Sequence, residues 1–217
     1  MREHLERKLF HPSSRPAGHG ITMAAPRFYE LFGALFFGGR RRSYRKLVVA
    51  AEVRPGDGVL DVGCGPGYLT RMLAQAVGPQ GAATGIDAAP ENTEYATRKA
   101  RGLANCRFQP GTAEALDFPD GAFDVVVSSL VMHHLPEEGR LGAVREMRRV
   151  LRPGGTLLLA DFAIPEHGPW RLAASLTGHR DIESRVPSLE PLVAEAGFVQ
   201  LGSGVAPPWL RYVRATA

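Results

Sequence analysis

The chain has 217 residues, with hydrophobic residues at 44% and charged residues at 22%, which suits one α/β domain with a full core. Its two cysteines, Cys64 and Cys106, form no CxxC or Cys/His cluster, which excludes a disulfide framework and a structural zinc site. The net charge is +4 and the basic residues are arginines apart from Lys8, Lys46 and Lys99; no long basic stripe with interleaved aromatics points to nucleic acid.

The first ten residues, MREHLERKLF, are charged and carry no apolar signal-peptide core. Together with two free thiols this predicts a cytoplasmic setting. Residues 1–25 read as a mobile arm, polar and rich in Pro, Gly, Ser and His through 1–20. Residues 26–51 read as a helical lid in two pieces, broken near Gly38-Gly39. Within it, LFGALFFGG (31–39) is too short to span a bilayer. It reads as a buried amphipathic helix, or as part of a pocket or surface for an apolar acceptor. The cluster Arg40, Arg41, Arg42, Arg45 and Lys46 reads as a solvated helical face, or as contact with an anionic substrate or membrane.

From residue 52 onward, short apolar runs alternate with amphipathic segments. GVLDVG (58–63), AATGID (82–87), CRFQPG (106–111), FDVVVSS (123–129) and GTLLLAD (155–161) have strand character. Helical patterns fill about 67–77, 90–101 and 137–151. This alternation predicts a three-layer Rossmann-like α/β sandwich with a mostly parallel sheet. A further helix over 188–196 starts at Ser188 and ends before Gly197. FVQLGSG (198–204) and LRYVRAT (210–216) are too close for a helical crossover. They predict an antiparallel hairpin that completes seven strands.

The segment VLDVGCGPGYLT (59–70) carries the strongest site signal. A strand runs into a turn containing Gly63, Cys64, Gly65 and Gly67, and a helix begins just beyond. Such a turn lets backbone approach a ligand closely, and the helix start offers free N–H groups. The spacing is GxGxG, not the GxGxxG that cradles a dinucleotide pyrophosphate. Asp61 beside it repels diphosphate and attracts a cationic amino group. Asp87 ends the next strand, placed to accept hydrogen bonds from both hydroxyls of a ribose.

VLDVGCGPG, GID (85–87), GTAEALDFPDGAFDVVVSSLVMHHL (111–135) and VLRPGG (150–155) together resemble the class I S-adenosylmethionine-dependent methyltransferases. Within these, the chain is similar to the small-molecule branch of ubiquinone/menaquinone C-methyltransferases and sugar O-methyltransferases. The resemblance implies S-adenosylmethionine as cofactor and S-adenosylhomocysteine as product. It implies that Asp61, Gly63 and Gly65 lie around the methionine end, Asp87 on the ribose and Ala88 beside the adenine. Thr112, Ala113 and Glu114 would complete the adenine pocket, Ser128 and Ser129 would lie under the methionine, and Tyr29 would close over the cofactor.

Methyl transfer from a sulfonium needs positioning of the acceptor, and a base only where the acceptor must lose a proton. His134 and His133 follow the fourth strand, and Asp161 ends the fifth at the same edge. A His oriented by an Asp is a candidate base near neutral pH; a structural turn at MHHL is the alternative. Residues 162–187, with His167, Trp170, His179 and Arg180, read as an insertion that shapes the acceptor pocket. The expected reaction is methyl transfer to oxygen or carbon of a small, hydrophobic metabolite by a monomer or homodimer, without metal. SSLV (128–131) lacks the Asn/Asp-Pro-Pro-aromatic motif of enzymes that methylate flipped bases. A cofactor-binding module without transfer, and an NAD-dependent oxidoreductase, are the competing readings.

Overall fold

In a computed structural model, residues 10–11, 22–23, 40–162, 188–207 and 210–217 are described. Phe10–His11 pairs antiparallel with Thr22–Met23. The main sheet holds β1 (Gly58–Val62), β2 (Ala82–Asp87), β3 (Cys106–Pro110), β4 (Phe123–Ser129), β5 (Leu151–Phe162), β6 (Val199–Ala206) and β7 (Leu210–Thr216). Their spatial order is β3-β2-β1-β4-β5-β7-β6. The first five are parallel, and β7 enters antiparallel to both β5 and β6. The expected fold class and its closing hairpin are therefore found. The expected strands lie within a residue or two of the observed ones, except β5. That strand starts earlier because Leu151 pairs with Phe123 across an irregular register before regular pairing resumes at Thr156.

The helices are α1 (Arg40–Ala50), α2 (Tyr68–Val77), α3 (Pro90–Lys99), α4 (Glu137–Val150) and α5 (Leu189–Glu195). α2 buries Leu69, Thr70, Leu73, Ala74 and Val77, one face of a helix at the spacing that amphipathic patterning demands. α3 begins with Pro at its first position, where the missing N–H costs nothing. α4 carries Glu137 and Glu138 in its first turn and Arg148 and Arg149 in its last, each opposing the partial charge of that helix end.

Strand alternation divides the core. Val59, Val125, Val127, Leu158 and Ala160 pack with Leu47, Leu69 and Leu73 of α1 and α2. Leu60, Val62, Val126, Leu157 and Leu159 pack on the other face with Val144, Met147, Leu189 and Val193 of α4 and α5. Burial on both faces accounts for the near-continuous apolar sequence of the central strands. The carboxyl ends of β1, β2, β4 and β5 then share one edge, where ligands of open α/β sheets bind. Among the described residues, no helix is long and apolar enough to cross a membrane.

Candidate functional site

The glycine loop is fixed to the neighbouring strand. Gly63 N–H and Cys64 N–H both donate to the Ile86 carbonyl at 2.8 Å, and Gly67 N–H donates to the Cys64 carbonyl at 2.9 Å. Gly63, Gly65 and Gly67 all have positive φ, at 73°, 52° and 72°, the region that glycine enters without penalty. Two of the three are also sterically obligatory. A Cβ on Gly67 would stand 2.6 Å from the Phe108 ring and 2.7 Å from Ala96 Cβ, and one on Gly63 would stand 2.2 Å from Val131 Cγ2. A Cβ on Gly65 would meet nothing within 4 Å, so the middle of the loop borders open space.

Asp87 is hydrogen-bonded to the middle of the loop. Its Oδ2 accepts the Gly65 N–H at 2.8 Å, and its Oδ1 accepts the Ala89 N–H at 2.9 Å and Asn92 Nδ2 at 3.0 Å. Burial raises its pKa above the ordinary carboxylate value, against these hydrogen bonds. Asn92 was not singled out in the sequence. Its signal is positional, a polar residue in the first turn of α3, five residues beyond the acid.

Asp61 lies beneath the loop, fully enclosed, with Thr70 Oγ1 donating to its Oδ2 at 2.6 Å. Burial pushes its pKa up to about 7, opposed by the Thr70 hydrogen bond. Cys64 is buried and its thiol is raised well above the ordinary value, first by burial and then by Asp61 and Asp87. It is held as a neutral thiol.

Ser128 Oγ donates to the Val62 carbonyl at 3.0 Å, tying β4 to the last residue of β1. Ser129 Oγ is buried and has no hydrogen-bond partner, a rare condition for a native hydroxyl. Thr112 is half-buried and bridges to Ala115. Ala113 packs into the core beside Ile86 and Met132, while Ala88 and Glu114 are half-buried. Tyr29 lies outside the described residues, as do His167, Trp170, His179 and Arg180.

Just past β4 the chain turns sharply. Leu130 has φ 64°, unusual for a residue with a branched side chain. The turn sets Val131 against Gly63 and starts a short 3₁₀ turn, Met132–His134. It also delivers His133 to Asp161. His133 N–H donates to Asp161 Oδ2 at 3.1 Å, and His133 Nδ1 lies 2.8 Å from Asp161 Oδ1. The Phe162 N–H donates to the same Oδ1 at 2.8 Å. Asp161 is fully buried and His133 is 9% exposed. An ionised Asp161 places the imidazole proton on Nδ1 and leaves Nε2 as the basic nitrogen. His134, half-buried, lies against His133 with ring centroids 4.0 Å apart and the rings tilted by 41°. Of the two histidines named from the sequence, His133 is the one that meets Asp161.

Comparisons with known proteins agree with the fold. Residues 59–155 match the methyltransferase domain family. A 37.1 kDa protein in transposon TN4556 of Streptomyces fradiae is 35% identical over 161 residues, 74% of this chain and 46% of that protein. The ubiquinone/menaquinone biosynthesis C-methyltransferase UbiE of Shewanella sediminis is 30% identical over 156 residues, 70% of this chain and 61% of that protein. The chain thus spans about half the length of the curated relatives it matches. In fold it is similar to an S-adenosylmethionine-dependent methyltransferase from Aquifex aeolicus, with a TM-score of 0.71 at 23% identity, over 88% of this chain and 98% of that one. The methyltransferase-domain match over 59–155, the motif order and the seven-stranded sheet with its reversed last pair together support a class I S-adenosylmethionine-dependent methyltransferase domain that resembles UbiE.

Proposed function

We propose that this protein transfers the methyl group of S-adenosylmethionine to an oxygen or carbon of a small, hydrophobic metabolite. The observation that carries the reading is the glycine loop closed onto Asp87, with open space beside Gly65 and an orphaned Ser129 hydroxyl at the same edge. These features fit the cofactor. Asp87 retains acceptor capacity for a ribose diol, and Ser129 Oγ can meet the carboxylate or ammonium of the methionine portion. Asp61 lies deeper, where its ionisation answers a cationic ligand close by. S-adenosylmethionine, when bound, supplies an activated methyl on a sulfonium.

The protein's own contribution to the chemistry is at His133. Asp161 fixes the imidazole through Nδ1, so that Nε2 takes the proton lost by a hydroxyl or an activated carbon acid. The similarity to UbiE, a ubiquinone/menaquinone biosynthesis C-methyltransferase, makes a quinol-like or phenolic acceptor the first class to test. A fixed Asp–His pair is not needed for bare cofactor binding, which weighs against a module without transfer.

The test is incubation with methyl-labelled S-adenosylmethionine and a panel of quinols, phenols and sugars. Labelled product is expected from at least one acceptor. On that acceptor His133→Ala and Asp161→Asn should each lower kcat by about 10²- to 10⁴-fold. His134→Ala should stay within about tenfold of wild type. A His133→Ala enzyme with the wild-type rate and pH profile removes the base from the account.

A further inference from the structure

Helix α1 carries a face that folding does not explain. Its inner side is anchored: Leu47 and Ala51 are buried and Tyr44 packs on Tyr68 with ring centroids 5.7 Å apart. Its outer side presents Arg41, Arg42, Arg45 and Lys46, all exposed. Among the described residues, none of these four makes a hydrogen bond or ion pair.

The placement is electrostatically unfavourable for the isolated chain. Arg41 and Arg42 lie in the first turn, which holds no acidic residue, where the helix dipole already concentrates positive charge. Arg41 with Arg45, and Arg42 with Lys46, are like charges four residues apart, which repel. Among the described residues no carboxylate answers this charge, so the face is open to an anionic partner. Val49 continues the Arg41–Arg45 ridge one turn on and is 76% exposed, so the face is basic with an apolar margin.

The start of this face also stands at the ligand edge of the sheet. Ser43 Oγ donates to the Pro207 carbonyl. Pro207 follows Ala206, which pairs with Leu210, and Leu210 pairs with Phe162 at the carboxyl end of β5. Phe162 follows Asp161 directly. Tyr68, against Tyr44, is the residue after Gly67.

We propose that the outer face of α1 docks the protein onto an anionic lipid surface, with its ligand edge turned toward that surface. Lipid is favoured over nucleic acid on two grounds. The exposed neighbour of the cations is an aliphatic side chain and not an aromatic that could stack on bases. In the sequence the basic cluster follows directly on LFGALFFGG, and a basic run beside an apolar one is the pattern of interfacial segments.

The experiment is co-sedimentation of the full chain with phosphatidylcholine vesicles and with phosphatidylcholine/phosphatidylglycerol vesicles, without cofactor or acceptor. Binding is expected for the anionic vesicles only, weakening as salt rises. Each lost cation should lower partitioning about fivefold, so Arg41→Ala/Arg45→Ala should lower it about 25-fold. The thermal midpoint of that variant should hold or rise, because repulsion at the helix start is relieved. Equal binding to both vesicle types, wild-type partitioning by the folded double variant, or displacement from vesicles by a short DNA duplex would each overturn the proposal.

Discussion

Burial removes the Asp61 carboxyl from water and leaves Thr70 Oγ1 as its hydrogen-bond donor. With its pKa pushed up to about 7 from an ordinary 3.8, Asp61 keeps its proton in the folded protein across a range where the unfolded chain has released it. Stability from this group is therefore full below about pH 4. It falls as pH rises toward 7 and levels off beyond. Asp87, raised by burial, adds a slope of the same sign. Denaturant unfolding from pH 4 to 8 should show stability declining through this window. Asp61→Asn should reduce the decline by about 1 kcal/mol per pH unit. An unchanged slope would place the Asp61 proton elsewhere. At this scale the sequence was partly legible. The acid beside GxGxG and the acid ending β2 stand out by type and spacing. The hydrogen bond that Asp61 accepts comes from Thr70, in the first turn of α2, and no local pattern announces such a contact. His133 and His134 are likewise indistinguishable by spacing. The left-handed Leu130 decides between them, by turning the chain so that the first histidine meets Asp161.

Elements are held in place by a few polar clamps between apolar layers. Arg149, in the last turn of α4, donates to the carbonyls of Leu116 and Phe118 at 2.8 Å each, to Asp120 at 2.7 Å and to both oxygens of Glu146. Glu146 in turn accepts the Leu116 N–H at 3.0 Å, and the Arg149 hydrogen bond holds its carboxyl below the usual range. The clamp binds the segment between β3 and β4 to the helix that follows the His133 turn. A lysine cannot reproduce a planar fork with five donors. Arg149→Lys should cost about 1–2 kcal/mol, read as a fall in Tm of roughly 3–6 °C. A Tm equal to that of wild type would make the clamp dispensable. Helices and strands were legible as elements because one-sided or two-sided burial writes a period into the sequence. The exception, the early start of β5, follows from pairing between Leu151 and Phe123, a contact that periodicity does not encode.

At the scale of the whole molecule, the reversed β7 distinguishes this sheet from an all-parallel dinucleotide fold, and five residues between two strand patterns were enough to predict it. The same topology brings the glycine loop, Asp87, Ser129 and the His133–Asp161 pair to one edge, although they are scattered from residue 63 to 161. The acceptor was not legible, because no motif in the sequence specifies its chemistry. The central claim, that this edge binds S-adenosylmethionine through Asp87, is tested most directly by calorimetric titration of wild type and Asp87→Ala with S-adenosylmethionine, S-adenosylhomocysteine and NAD. The account predicts that wild type binds both adenosyl ligands and not NAD. It also predicts that Asp87→Ala weakens adenosyl binding by roughly 10- to 100-fold, the loss of charge-assisted hydrogen bonds to the ribose. Undiminished affinity in Asp87→Ala, or binding of NAD in place of the adenosyl ligands, would contradict it.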